Sequence, residues 1–344
     1  MMDKALKPWD IVNRYRAEIM GFAALYITIM HLYVSFYEDA QIPFITVILK
    51  RGNIGVDIFL LLSGCGLFYS MKKGASIAKF YKKRIVRVVI PYLILSILYW
   101  ILLDIIININ ILQFLKDVTL VSFWTQGVTH YWFVALIIPL YLLYPCIYKL
   151  QIKNSKFILG LSILSIIITV CLAFFIREYY DKIEIAITRI PAFLMGSYLG
   201  EMLFSGYEKK DQVYIFNGYA VLSFIAFLLS VLLSEKKQFL AEILYRYGSA
   251  GVSLLLILII GFILNRTGKG KIDKILCFFG GITLEIYIVS QSIRNGMLLL
   301  NIGTDLGFVP KIVIETLVFV VSIVISKLFL RVEKNINKRI LGNG

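Results

Sequence analysis

Apolar runs about twenty residues long, separated by short segments rich in lysine, arginine, asparagine and glycine, make up nearly all of this chain. A helix of about 17 to 25 apolar residues spans the hydrocarbon of a bilayer. The pattern predicts ten such helices, at 17–36, 53–71, 87–107, 130–148, 157–176, 183–204, 212–233, 248–265, 275–300 and 309–330. The expected fold is therefore all-α, a polytopic membrane protein with a single transmembrane domain over 1–344. The longest interval between spans, 108–129, leaves no room for a soluble domain, and no internal repeat or low-complexity tract is visible. The opening segment MMDKALKPWDIVNRYR passes directly into a full-length span without a small-residue cleavage site, so the first span is expected to persist.

Composition agrees with that reading: 59% of the residues are hydrophobic and the mean hydropathy is +0.83, more than a soluble domain carries. Charge supplies an orientation. With the N-terminus inside, 25 of the 36 lysines and arginines fall in inner segments and 8 in outer loops, the bias of a chain with both termini in the cytoplasm. The formal charge of +15 is then explained by loops facing anionic membrane lipids, and no nucleic-acid partner is expected. Cys65, Cys146, Cys171 and Cys277 lie one by one in separate spans, without CxxC pairs or zinc-ligand spacing, so neither a metal site nor a structural disulfide is expected.

The informative residues are ionisable groups inside the apolar runs, which are costly in hydrocarbon and mark function or paired contacts. His31 lies five residues inside the outer end of the first span, roughly 8 Å deep at the helical rise. Asp57, His130, Arg189 and Arg294 fall in the outer third of four other spans, and Glu285 lies nearer the middle of the ninth. Asp57 and Arg189 read equally as functional groups or as a buried pair. His130, beside Tyr131 and Trp132, reads equally as an interfacial residue, and Arg294 as one whose long side chain reaches back to the surface. His31 is harder to dismiss, because an imidazole takes and returns a proton near neutrality.

On the inner side, MKKGASIAKFYKKRIVRVVIPYL carries Lys72, Lys73, Lys79, Lys82, Lys83, Arg84 and Arg87. Arg84 and Arg87, at i and i+3 on a helix, share a face from which two guanidinium groups can grip a phosphate. Positive-inside bias explains the same cluster without a ligand. Gly52, Gly55, Gly64 and Gly66 allow the second span close approach to its neighbours, which plain packing also requires.

Six segments in order, IMGFAALYITIMH (19–31), GNIGVDIFLLLSGCGLFYSM (52–71), FYKKRIVRVVIPYL (80–93), HYWFVALIIPLYLLYP (130–145), ITRIPAFLMGSYLG (187–200) and GITLEIYIVS (281–290), resemble the acyltransferase-3 family of integral membrane acyltransferases. The resemblance implies transfer of an acyl group, commonly acetyl from cytosolic acetyl-CoA, to a hydroxyl of a cell-surface glycan or lipid-linked acceptor, in a multi-pass protein of the bacterial plasma membrane. By matching position it makes His31 the catalytic histidine, a general base or transient acyl acceptor, and Arg84 with Arg87 the basic pair associated with CoA. Lys83 and Arg16 are expected to assist that pair, Asp57 to orient the imidazole, and Arg189 or His130 to stabilise the oxyanion. Trp132 and Pro191 also fall on family positions. The sequence departs from the family pattern at Met20, where an arginine is frequent eleven residues before the histidine, at Ser290, where a second histidine is frequent, and at Ile137, acidic in one branch. Two other readings stay open: a transporter or flippase, and a non-catalytic membrane module on the same fold.

Overall fold

The computed structural model describes residues 7–36, 51–268, 270–302 and 308–341, and every regular element among them is helical. In chain order these are α1 (Asp10–Arg14), α2 (Arg16–Phe36), α3 (Ile54–Lys72), α4 (Ile77–Ile107), α5 (Ile111–Val118), α6 (Val121–Gln126), α7 (Trp132–Lys153) and α8 (Lys156–Phe175). They are followed by α9 (Arg177–Ile187), α10 (Ile190–Phe204), α11 (Lys210–Leu233), α12 (Gln238–Thr267), α13 (Lys271–Gly281), α14 (Thr283–Leu299) and α15 (Phe308–Leu341).

Seven of them, α3, α4, α7, α8, α11, α12 and α15, are long and apolar enough to cross a membrane. The first expected span is α2, 21 residues long. The two remaining expected spans, 183–204 and 275–300, are each broken in two, so ten uninterrupted helices are not what the chain forms. Arg189 ends the first of these at the junction of α9 and α10, with Pro191, which has no N–H to donate, opening the new helix. Ile282 interrupts the second, where the Gly281 carbonyl accepts from Arg87 Nη2 at 2.8 Å. Polar backbone freed inside a membrane protein must find such partners, and broken helices persist only where protein or a cavity surrounds them.

The core lies around α3 and α10. α3 is the most enclosed of the seven crossing helices and α11 the least, while α10 buries nearly every side chain from Pro191 to Leu203. α3 meets α10 at Gly64, where an added Cβ would stand 2.1 Å from the Phe193 carbonyl oxygen. α13 packs along the first half of α2, and the contact is closest at Gly21 and Gly280. A Cβ on Gly280 would sit 2.0 Å from the Ala17 carbonyl oxygen, too close for any side chain. Such small-residue crossings are the usual way membrane helices gain dispersion contacts without a hydrophobic driving force between them. The outward faces of α8 and α11 expose Ile163, Ile167, Val221 and Leu222, as suits contact with lipid. Between α4 and α7, the interval expected to lie outside the spans is folded into α5 and α6.

Candidate functional site

A cavity of about 290 Å³ runs between α2, α3, α4, α7 and α14. Arg16, Arg84 and Arg87 line it at one end, and His31, Asn53 and Arg294 at the other. α2 supplies residues to both ends: Arg16 and His31 are fifteen residues apart, about 22 Å along a helix axis. Met20, Ala24 and Thr28, on the same helix face as Arg16 at intervals of four, line the path between them.

At the basic end the three arginines are held differently. Arg16 Nη2 donates to the Leu62 carbonyl at 2.9 Å, and its guanidinium occupies the place of a missing side chain: a Cβ on Gly66 would lie 2.2 Å from Nη2. Gly66 thus leaves the space on α3 in which the Arg16 guanidinium lies. Arg84 lies over the rings of Phe80 and Tyr141, its guanidinium carbon 5.5 and 5.7 Å from their centroids. The Nε atoms of Arg16 and Arg84 are both buried and find no hydrogen-bond partner among the described residues. A buried charged donor left unpaired is costly.

Arg87 is committed elsewhere. Its Nη1 pairs with Glu285 at 3.1 Å and with Glu333 at 2.9 Å, while Nη2 holds the Gly281 carbonyl. The shared face expected from the i, i+3 spacing is split, because residues 85–89 are wound as a π-helix. That wider winding turns Arg87 toward α14 and α15 while Arg84 turns toward α7. Lys83, the residue before Arg84, is half-buried and is not among the residues lining the cavity.

At the far end, His31 is half-buried, and Arg294 is near enough for their charges to interact. Arg294 does not reach back to a surface. It is 11% exposed, and its Nε donates to Glu315 of α15 at 2.8 Å. Sequence reasoning missed this role, although Glu315, a carboxylate at similar depth in the tenth apolar run, was the available signal for a paired rather than surface-seeking arginine.

Asp57 and Arg189 form a buried pair, Oδ1 to Nε 3.4 Å, each side chain 2% exposed. Ser249 donates to Asp57 Oδ2 at 2.6 Å, Arg189 Nη1 donates to the Ile185 carbonyl at 2.6 Å, and the guanidinium lies over Trp132 at 5.1 Å. A second pair, Arg246 with Glu184, ties α12 to α9 beside it. The Asp57 carboxylate therefore joins α3, α10 and α12, and Trp132, which lines the cavity, sits against the stacked Arg189. His130 is in a different place. It packs on Tyr99 and Trp100, with ring centroids 5.3 and 5.6 Å away, and is not among the cavity-lining residues.

Of the residues singled out from sequence, then, His31, Arg16, Arg84 and Arg87 share one cavity, Asp57 and Arg189 brace its wall, and His130 and Lys83 stand apart. No group of three or more His, Cys, Asp or Glu side chains among the described residues is placed to hold a metal ion. What the cavity offers chemically is cationic hydrogen-bond donors at one end, an apolar passage, and an imidazole beside an arginine at the other. The family model described as an acyltransferase domain matches residues 20–331 of the chain. No curated protein and no solved structure matches it.

Proposed function

The protein belongs to the acyltransferase-3 family, and from that premise we propose that it moves an acyl group, acetyl in the simplest case, from cytosolic acyl-CoA to a hydroxyl of an extracytoplasmic glycan or lipid-linked acceptor. The observation that carries the proposal is the single cavity with Arg16 and Arg84 at one end and His31 at the other. An acyl-CoA joins a phosphate-bearing head to a thioester through a long, thin, largely uncharged arm. The cavity has the matching order of features: guanidinium groups, an apolar passage about 22 Å long by the helical rise, then a proton acceptor.

In this reading the CoA phosphates take hydrogen bonds from Arg16 and Arg84. Arg87 acts through the backbone: paired with Glu285 and Glu333, it holds the Gly281 carbonyl and so fixes the break that lets α14 face the cavity. The pantetheine arm lies along α2 past Met20, Ala24 and Thr28, which presents the thioester beside His31. The imidazole takes the proton of the incoming hydroxyl, whose oxygen attacks the thioester carbon. When the carbon–sulfur bond breaks, the imidazolium returns a proton to the CoA sulfur. Holding donor and acceptor in one narrow passage supplies proximity at little further cost. Asp57 and Arg189 are positioning residues that hold the wall carrying Trp132.

The test is acyl transfer from labelled acetyl-CoA by the purified protein in vesicles, with His31→Ala at equal abundance. Loss of at least 100-fold in rate with unchanged CoA affinity is expected, given the usual worth of general-base catalysis, about 10²- to 10⁴-fold. A variant that transfers at the wild-type rate removes His31 from the chemistry. One observation favours a transport reading as well: both broken helices border the cavity region, an arrangement that transporters also use. Movement of the acceptor without acylation in the same vesicles would decide for it.

A further inference from the structure

We propose that Arg294 is the oxyanion donor of this reaction, the catalytic residue that stabilises the negative charge on the thioester oxygen; this deepens the acyltransferase reading and rests on it. When a hydroxyl oxygen adds to the thioester carbon, the carbonyl π electrons move onto oxygen, giving a tetrahedral alkoxide. That charge needs a preorganised donor at the end of the cavity where His31 works. As the intermediate collapses, the C=O bond reforms, the C–S bond breaks, the sulfur takes the proton held by His31, and the alkoxide no longer requires its partner.

Four observations assign the donor. Arg294 lines the His31 end of the cavity, close enough to the imidazole for their charges to interact. It belongs to a continuous stripe, since Thr283, Tyr287, Ser290 and Arg294 of α14 recur at three- and four-residue spacing and all line the cavity. Among the described residues its guanidinium makes one hydrogen bond, Nε to Glu315, and Nη2 is buried with no hydrogen-bond partner. A planar guanidinium fixed at Nε keeps its remaining donors in a set direction, so it is held in place with hydrogen-bonding capacity left over.

Other described cations near this end have contacts of their own, Arg51 lying over the rings of Phe227 and Tyr245. Arg189 bonds to the Ile185 carbonyl, faces Asp57 and stacks on Trp132, and Arg246 is paired with Glu184. His130 packs on Tyr99 and Trp100 and is not itself among the cavity-lining residues. The clamp also explains why a carboxylate, Glu315, stands in an apolar helix. It fixes the guanidinium through Nε and leaves the outer nitrogens to the reaction.

The experiment compares wild type, Arg294→Gln, Arg294→Lys and the double variant Arg294→Gln with Glu315→Gln, which replaces the ion pair by a neutral amide pair and so preserves burial without charge. Steady-state transfer from acetyl-CoA and CoA affinity are measured for each. The expected result is a fall in kcat of about 10²- to 10³-fold for Arg294→Gln and for the double variant. KM for both substrates and CoA affinity should stay within threefold, and Arg294→Lys should recover part of the loss. A double variant with kcat within threefold of wild type overturns the proposal, as does a loss confined to acceptor KM, which would make Arg294 a clamp for the acceptor. A wild-type protein inert with acyl-CoA overturns the parent reading and this inference together, whereas the two preceding results overturn this inference alone.

Discussion

At the scale of the residue, the two arginines of the RIVR segment make opposite predictions. Arg84 has a buried Nε without a partner among the described residues, so Arg84→Ala should weaken CoA binding, by about tenfold if one charge-assisted bond of roughly 1.5 kcal/mol is lost, and leave thermal stability nearly unchanged. Arg87 neutralises Glu285, which is fully buried, and Glu333, 7% exposed. Arg87→Ala should therefore destabilise the fold, by somewhat less than the roughly 3 to 5 kcal/mol of a fully enclosed pair because Arg87 is itself 38% exposed. Isothermal calorimetry with CoA and thermal unfolding in detergent separate the two effects, and an Arg87 variant that melts normally but binds CoA poorly would reverse the assignment. The Asp57–Arg189 pair is enclosed on both sides. Asp57→Ala should cost about 3 to 5 kcal/mol by leaving a buried guanidinium uncompensated, and a second change, Arg189→Met, should restore most of it. Equal melting of the single and double variants would mean that the pair carries no such charge balance.

At this scale the sequence was legible where one position suffices. His31 could be singled out because a proton-exchanging ring inside an apolar run is unusual, and Arg84 because it stands in a basic segment; both line the cavity. Arg87, Arg294 and His130 could not be placed in the same way. Their surroundings are set by residues about 20 to 250 positions away, Glu285, Glu333, Glu315 and Tyr99, and local spacing carries no information about those partners.

At the scale of the element, hydropathy located the apolar segments well and their continuity poorly. Residues 183–204 and 275–300 are predominantly apolar and read as single helices. Yet each breaks where a charge takes part in the backbone or side-chain bonding: Arg189 at one junction, Arg87 on Gly281 at the other. Hydropathy averages over a window and does not register one arginine's hydrogen bond. The close crossings give their own predictions. Gly280→Ala would press its Cβ against the Ala17 carbonyl, and since backbone on both sides resists, a loss of about 1 to 3 kcal/mol is expected in thermal or denaturant unfolding. Gly66→Ala meets instead the tip of a flexible side chain, Arg16. It should leave stability almost intact while displacing the guanidinium, so CoA affinity falls and the melting temperature does not. Unchanged CoA affinity in a folded Gly66→Ala protein would show that Arg16 need not lie against Gly66.

At the scale of the whole molecule, the basic end of the cavity and the lysine-rich segment 72–83 lie together at the start of α4, which the positive-inside distribution assigns to the cytoplasm. A single cysteine placed at Lys73, with the four native cysteines replaced, should react with an impermeant maleimide only after right-side-out vesicles are opened. Reaction in sealed vesicles would invert the orientation and with it the direction of acyl transfer. Orientation and activity both matter only if the two ends of the cavity work as one, and Ala24, between Arg16 and His31 on α2 and facing the passage, is the place to ask. The decisive measurement is acyl transfer and CoA binding by Ala24→Trp in vesicles: a folded variant that binds CoA within threefold of wild type but transfers no acyl group is predicted, because the indole closes the passage. Transfer at the wild-type rate through the blocked passage would contradict a thioester carried from the arginines to His31.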